Sequence, residues 1–238
     1  MVRVLSSNVA AKPAFSARFY ATQSFQRHIN SRAPALRLMP IGGSVTYGQG
    51  SSHGNGYRGY LRQMLIADGY KPEMVGSRKA GVMQENWCEG WRGFRIDQID
   101  QKAQRCVPGI LPNLFTVNAG SNDCIQDFDL EHIGIRIRAM LEHLWAASPY
   151  STIILSTLLV TADERVEDRI LRANQQYLKL ADDLESEGCK IVVADMHGSD
   201  GPQRYELMDG THPNDDGYKK MAKIWHRGVR EADRRGFL

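Results

Sequence analysis

Acidic residues are missing altogether from the first 40 positions, which carry six basic ones: Arg3, Lys12, Arg18, Arg27, Arg32 and Arg37. That segment accounts for the formal excess of +3, because the remaining residues hold 24 Lys and Arg against 27 Asp and Glu, a net of −3. The part that folds is therefore mildly acidic, which argues against a nucleic-acid partner. No window approaches the roughly 20 apolar residues of a bilayer-crossing helix, so no membrane span is expected. Cysteine is scarce as well. Cys88, Cys106, Cys124 and Cys189 show no C-x-x-C spacing and no paired histidines, so a structural zinc site lacks ligands and no metal is expected. Four cysteines permit two bridges in three pairings. Cys88 and Cys124 adjoin candidate site loops and are the first pair to consider, whereas four reduced thiols suit an intracellular protein.

Residues 1–35 read as a leader. They are rich in Arg, Ser and Ala and poor in acids, the composition of a mitochondrial presequence, and Arg18-Phe19-Tyr20-Ala21-Thr22 resembles a presequence cleavage pattern. The alternative is a tail with no address. A secretory signal needs a continuous apolar run, and Val9-Ala10-Ala11 is stopped by Lys12 and Pro13. Residues 36–238 suit one domain of roughly 200 residues with a full core; 42% apolar and 24% charged residues are ordinary for a globular chain. Internal repeats are absent.

Within that domain, short apolar runs alternate with long amphipathic stretches. Strands are expected at roughly 35–42, 73–77, 114–119, 152–158 and 190–194. Tyr57, Tyr60, Leu61, Met64 and Leu65 recur at helical spacing before Gly69, and Ile133, Ile137, Met140, Leu141 and Leu144 mark a helix over 130–147. Further helices are expected over 166–187, stopped by Gly188, and from Pro213 to Arg234, with Pro213 at its first position. A short helix begins near Ile96, and 79–95 reads as irregular. Strands alternating with helices give an α/β fold with a parallel sheet covered on both faces. Ligands bind beyond the carboxyl ends of such strands. The loops Gly43-Ser44, Gly120-Ser121-Asn122-Asp123 and Asp209-Gly210-Thr211-His212 should all open on that edge.

Those loops hold the parts of an acyl-transfer site. Three residues of tight turn place the Asp209 carboxylate against one nitrogen of His212, which fixes the tautomer and stabilises the imidazolium formed when the other nitrogen takes a proton. Ser44, in a glycine-flanked turn, offers a hydroxyl nucleophile and its own N–H; Asn122 offers an amide donor; and Gly93, lacking a side chain, lets its N–H approach a developing oxyanion. Each has a plainer reading: Ser44 and Gly93 as turn residues, Asn122 and Asp123 as caps, Asp209 or Asn214 as the cap of the last helix. Their joint order favours chemistry.

The blocks also resemble a known family. Ile41-Gly42-Gly43-Ser44-Val45-Thr46-Tyr47-Gly48, Gly93, Gly120-Ser121-Asn122-Asp123 and Asp209-Gly210-Thr211-His212-Pro213 are similar, in order, to the four blocks of the SGNH (GDSL-like) hydrolases. Asn55-Gly56-Tyr57-Arg58-Gly59-Tyr60-Leu61, Gly93-Phe94-Arg95-Ile96-Asp97-Gln98-Ile99 and Asn122-Asp123-Cys124 resemble carbohydrate esterase family three, the acetylxylan esterases. The resemblance implies a flavodoxin-like three-layer α/β/α sandwich, here with a five-stranded parallel sheet, and a serine esterase that needs no cofactor. Ser44, Asp209 and His212 would form the triad, and Ser44, Gly93 and Asn122 the oxyanion hole, with Asp123 a supporting carboxylate. One departure matters. The family's first block usually reads Gly-Asp-Ser, and here Gly43 precedes Ser44, giving the nucleophile loop extra backbone freedom and implying a slow enzyme.

The expected substrate is a small-molecule or carbohydrate acyl ester, with acetylated xylan carried by the resemblance and Tyr47, Trp87 and Trp91 as faces for sugar rings or as ordinary packing. The alternatives are a short-chain acyl ester or lysophospholipid hydrolase, and a non-catalytic acetyl-sugar binder in view of Gly43. A xylan substrate fits secretion and conflicts with a mitochondrial leader.

Overall fold

A computed structural model describes residues 35–238; the leader expected over 1–35 lies outside them but for its last residue. The chain opens with β1 (Ala35–Gly42), a short helix α1 (Ser44–Tyr47) and α2 (Tyr57–Ala67), then β2 (Lys71–Met74), β3 (Arg78–Lys79) and β4 (Trp87–Gly90). It continues through α3 (Ile96–Ile110), β5 (Leu114–Asn118), α4 (Ser121–Gln126) and α5 (Ile133–Ala147). It ends with β6 (Thr152–Ser156), α6 (Glu164–Ser186), β7 (Ile191–Ala194) and α7 (Asp215–Arg234).

All five expected strands are present, parallel, in the order β2-β1-β5-β6-β7. The count needs correction, because the sheet has seven strands. β2 pairs with β1 only over Ala35–Leu38, and β4 takes over the same edge at Ile41 and Gly42, with β3 antiparallel beyond it. Residues 79–95 read as irregular because Trp87-Cys88-Glu89-Gly90 lacks a β-branched, alternating pattern; β1 supplies the order instead.

Side chains alternate between two cores, as a strand with both faces covered requires. Leu36 and Leu38 point to the layer of α2 and α7, and Met39 and Ile41 to the layer of α3, α5 and α6. This is the three-layer α/β/α sandwich. α7 lays Tyr218, Met221, Trp225 and Val229, all fully buried, against α2 and the sheet, with the Tyr57 and Trp225 rings 5.5 Å apart. Burying a side chain of that size contributes on the order of 3 kcal/mol.

The helix ends adjust two boundaries. Asp163 caps α6, its Oδ1 accepting from the N–H groups of Arg165 and Val166, so the helix starts two residues before 166. The closing helix begins after Pro213, because Asn214 is its cap and accepts from the N–H groups of Asp216 and Gly217. All four cysteines are free, which corrects the Cys88–Cys124 pairing. Cys88 lies on β4 and Cys124 on the helix after β5, with β1 between the two strands. That is about two strand spacings, or roughly 10 Å, beyond the reach of a disulfide.

Arg58 ties the loops that follow β1. It is fully buried and donates to the carbonyls of Tyr47, Gly54, Ala80 and Asn86 at 2.9–3.1 Å. A buried acceptor left without its donor costs about 1–3 kcal/mol. Arg58→Met should therefore lose about 3 kcal/mol, a fall in Tm of roughly 6–12 °C by calorimetry; a change below about 2 °C would show that the loops hold without it.

Candidate active site

Each site residue sits at the carboxyl edge of the sheet. Ser44 follows Gly42-Gly43 at the end of β1, Gly93 lies between β4 and α3, Asn122 and Asp123 open α4 after β5, and the Asp209–His212 turn lies between β7 and α7. Parallel pairing of β1, β4, β5, β6 and β7 brings these loops together.

Ser44 Oγ lies 2.7 Å from His212 Nε2, and His212 Nδ1 lies 2.7 Å from Asp209 Oδ2. The other carboxylate oxygen, Oδ1, accepts from the backbone N–H groups of His212 at 2.9 Å and Thr211 at 3.1 Å. Burial pushes the Asp209 carboxyl up, but these backbone and ring donors outweigh it and hold the group below its ordinary range. An ionised carboxylate can only accept. Nδ1 therefore carries the proton, and Nε2 is left to accept from the Ser44 hydroxyl. The turn is held from outside as well: Ala162 N–H and the Thr161 hydroxyl both donate to the Gly210 carbonyl, at 2.8 and 2.9 Å. Asp209 thus orients the ring instead of capping α7.

α4 holds the Gly93 loop. Asn122 Nδ2 donates to the Phe94 carbonyl at 2.9 Å, and Gln126 Nε2 donates to that of Gly93 at 3.2 Å. Asp123, fully buried, accepts from the Ile96 N–H at 3.1 Å and from Arg136 at 2.6 Å. Burial pushes its carboxyl up, against the opposing pull of Arg136. Gly93 itself is exposed with φ +77, and an added Cβ would meet nothing within 4 Å, so glycine is needed for the left-handed backbone and not for space.

Gly43 has φ −88 and ψ −145, so its φ lies outside the left-handed region that favours glycine. Its carbonyl accepts from Tyr47 N–H at 3.1 Å, and that of Gly42 from Trp91 N–H at 2.8 Å. A Cβ at Gly43 would lie 3.3 Å from Asn122 Nδ2.

Ser44, Gly93, Asn122 and His212 line one cavity of about 270 Å³, together with Phe94 and Ile125. A narrow apolar slot of about 10 Å³ adjoins it, sharing Val45, Ser121, Ile125 and Thr211 and closed by Leu159, Val166 and Ile170. Tyr47, Trp87 and Trp91 are not brought to the cavity wall, and cations cover their rings: Arg78 and Arg92 over Tyr47, Lys79 over Trp87, Arg78 and Lys102 over Trp91. Among the described residues, no group of three or more His, Cys, Asp or Glu side chains is placed to hold a metal, and no helix is long and apolar enough to cross a membrane.

Several contributors escape sequence reasoning. Arg136 and Gln126 act from elsewhere on helices, where charge and amide read as solvated. Tyr218, on the apolar stripe of α7, also donates its hydroxyl to the Gln49 carbonyl and so ties the Ser44 segment to the helix behind His212. The one available signal is that the buried Asp123 needs a counter-charge.

Residues 41–220 match the model of the GDSL-like lipase/acylhydrolase family. A multidomain esterase of Ruminococcus flavefaciens is 26% identical over 226 residues, an alignment covering 83% of this chain and 29% of that protein; the chain spans less than a third of that relative's length. Among solved structures, a family 3 carbohydrate esterase of Clostridium thermocellum superposes with a TM-score of 0.76 at 21% identity, over 86% of this chain and 100% of the other. A carbohydrate esterase family 3 protein from Talaromyces cellulolyticus gives a TM-score of 0.72 at 20% identity, over 82% and 97%. At those identities the likeness is one of fold.

Proposed function

Because the chain belongs to the GDSL-like lipase/acylhydrolase family, we propose that it is a serine esterase that removes small acyl groups, acetyl foremost, from a carbohydrate. The observation that carries this reading is the unbroken line from Ser44 Oγ through the His212 ring to Asp209, 2.7 Å at each step. In this reading Ser44 Oγ attacks the ester carbonyl while Nε2 takes its proton, and Asp209 stabilises the imidazolium. The N–H groups of Ser44 and Gly93 and the Asn122 amide receive the oxyanion. His212 returns the proton to the departing alcohol, then deprotonates the water that releases acetate from the acyl-serine. No step calls for a cofactor.

The cavity supports a short acyl group. In this reading the acyl chain lies on the side of Val45 and Ile125, the residues the cavity shares with the apolar slot. That slot, of about 10 Å³, is small, which favours acetyl over a lysophospholipid. The hydrogen-bonded serine favours turnover over a pure acetyl-sugar binder. Carbohydrate as the alcohol rests on the structural relatives named as carbohydrate esterases.

Acetate release from acetylated xylan and peracetylated xylose tests the reading, with Ser44→Ala expected to lose about 10⁴-fold or more in rate; undiminished release by the variant would remove the serine mechanism. Rates should fall steeply from acetyl to butyryl to octanoyl esters, and equal rates would contradict the small acyl slot. Gly43→Asp, at a position with negative φ, should raise kcat on an acetyl ester by restraining the loop. An unchanged or lower kcat would show that the bonds to Tyr47 and Trp91 already suffice.

A further inference from the structure

The aromatic residues beside the site do not present bare faces, and the charges lying on them form a pattern. The Arg78 guanidinium sits 5.2 Å from the Tyr47 ring centre and 4.4 Å from that of Trp91, Arg92 5.3 Å from Tyr47, and Lys102 4.7 Å from Trp91. Arg95 and Arg136 form ion pairs with Asp97 and Asp123. Arg78, Arg92 and Lys102 pair with no carboxylate among the described residues. Among the described residues, the acid bonded into this patch is Glu89, buried and accepting from Trp91 Nε1 at 2.7 Å. Three cations against one buried carboxylate leave an excess of two positive charges.

This excess stands next to the cavity. Arg92 immediately precedes Gly93, Tyr47 closes the four-residue helix that Ser44 opens, and the Trp91 ring stacks on Phe94, a cavity residue, at 5.4 Å. The site's exposed carboxylate, Asp209, is engaged by His212 on the other flank of Ser44. Rings also hold cations at a fixed place without neutralising them, since the attraction is to a quadrupole and not to a charge. An otherwise mildly acidic domain thus keeps a local positive field at one lip of its cleft, of the sign that attracts an anionic ligand.

We propose that the Arg78–Arg92–Lys102 lip binds an anionic group on the alcohol part of the ester, so that the preferred substrate is an acetylated sugar bearing a carboxylate near the acetylated hydroxyl. This rests on the esterase reading, and it assigns the aromatic residues a different part: Tyr47 and Trp91 carry the cations, and the cations meet the glycan. A sugar phosphate or sulfate shares the chemistry and is separated by the test.

Calorimetric binding to Ser44→Ala, at low salt, reads this site without turnover. Acetylated xylooligosaccharides with and without a uronic acid branch are compared, alongside an acetylated sugar phosphate. The uronate form should bind about tenfold tighter than the neutral form, and 0.5 M NaCl should erase most of the difference. Adding Arg92→Gln and Lys102→Gln should bring the ratio near one, whereas Lys223→Gln on the far helix layer, with the same type of charge loss, should leave it in place. A ratio near one at low salt, or a preference indifferent to Arg92 and Lys102, overturns the proposal. Preference for the phosphate over the uronate overturns the carboxylate assignment. Hydrolysis by wild type is scored separately: neutral acetyl esters cleaved without any anionic preference sink this inference alone, and no cleavage of any acetyl ester sinks the esterase reading.

Discussion

A hydrogen bond of 2.7 Å joins two atoms whose residues are 168 positions apart, the Ser44 hydroxyl and the His212 ring. Holding them together falls to the sheet, because parallel strands deliver every following loop to the same edge. The Ser44 turn hangs from β1 and is pinned by backbone bonds to Tyr47 and Trp91. The His212 turn hangs between β7 and α7 and is pinned to Thr161 and Ala162 after β6. Tyr218 closes the circuit by reaching from α7 back to the Gln49 carbonyl. Local stiffness at both ends means that little reorganisation remains when a substrate arrives, which is what a preorganised site requires.

Electrostatics is layered around that bond. Asp209 spends one oxygen on the imidazole and the other on its own turn, so a single carboxylate fixes both the tautomer and the backbone that presents it. Asp123 does comparable work one step further out, joining the first turn of α3 to Arg136 and thereby steadying the Gly93 loop. Its burial is tolerable because a charged partner and a backbone donor meet it. Farther still, cations settled on Tyr47 and Trp91 give the cleft a polarity that the net charge of the domain conceals.

Much of this was legible in the residues. Period-two alternation in Leu36-Arg37-Leu38 and the long amphipathic helices revealed the layers, since burial on one stripe or two faces leaves a direct mark on composition. The five parallel strands came with it. β4 did not, because its order comes from β1 and not from its own side chains. Ser44, Asn122, Asp209 and His212 were legible as a candidate site only together, since serine, asparagine and aspartate are ordinary turn and cap residues and it is their joint order at loops on one sheet edge that stands out. The supporting shell was not: Arg136, Gln126 and the Tyr218 hydroxyl lie on helices, where a polar group or a core tyrosine has many ordinary uses. The cations on Tyr47, Trp87 and Trp91 were not legible either, as sequence shows a ring but not what already lies on its face.

Labelling with a fluorophosphonate probe, followed by mass spectrometry, tests most directly whether His212 activates Ser44. A single phosphonyl adduct on Ser44 is predicted, forming within minutes in the wild type and essentially absent when His212 is replaced by alanine. An adduct on another residue, or labelling of Ser44 at the same rate without the imidazole, would contradict the account.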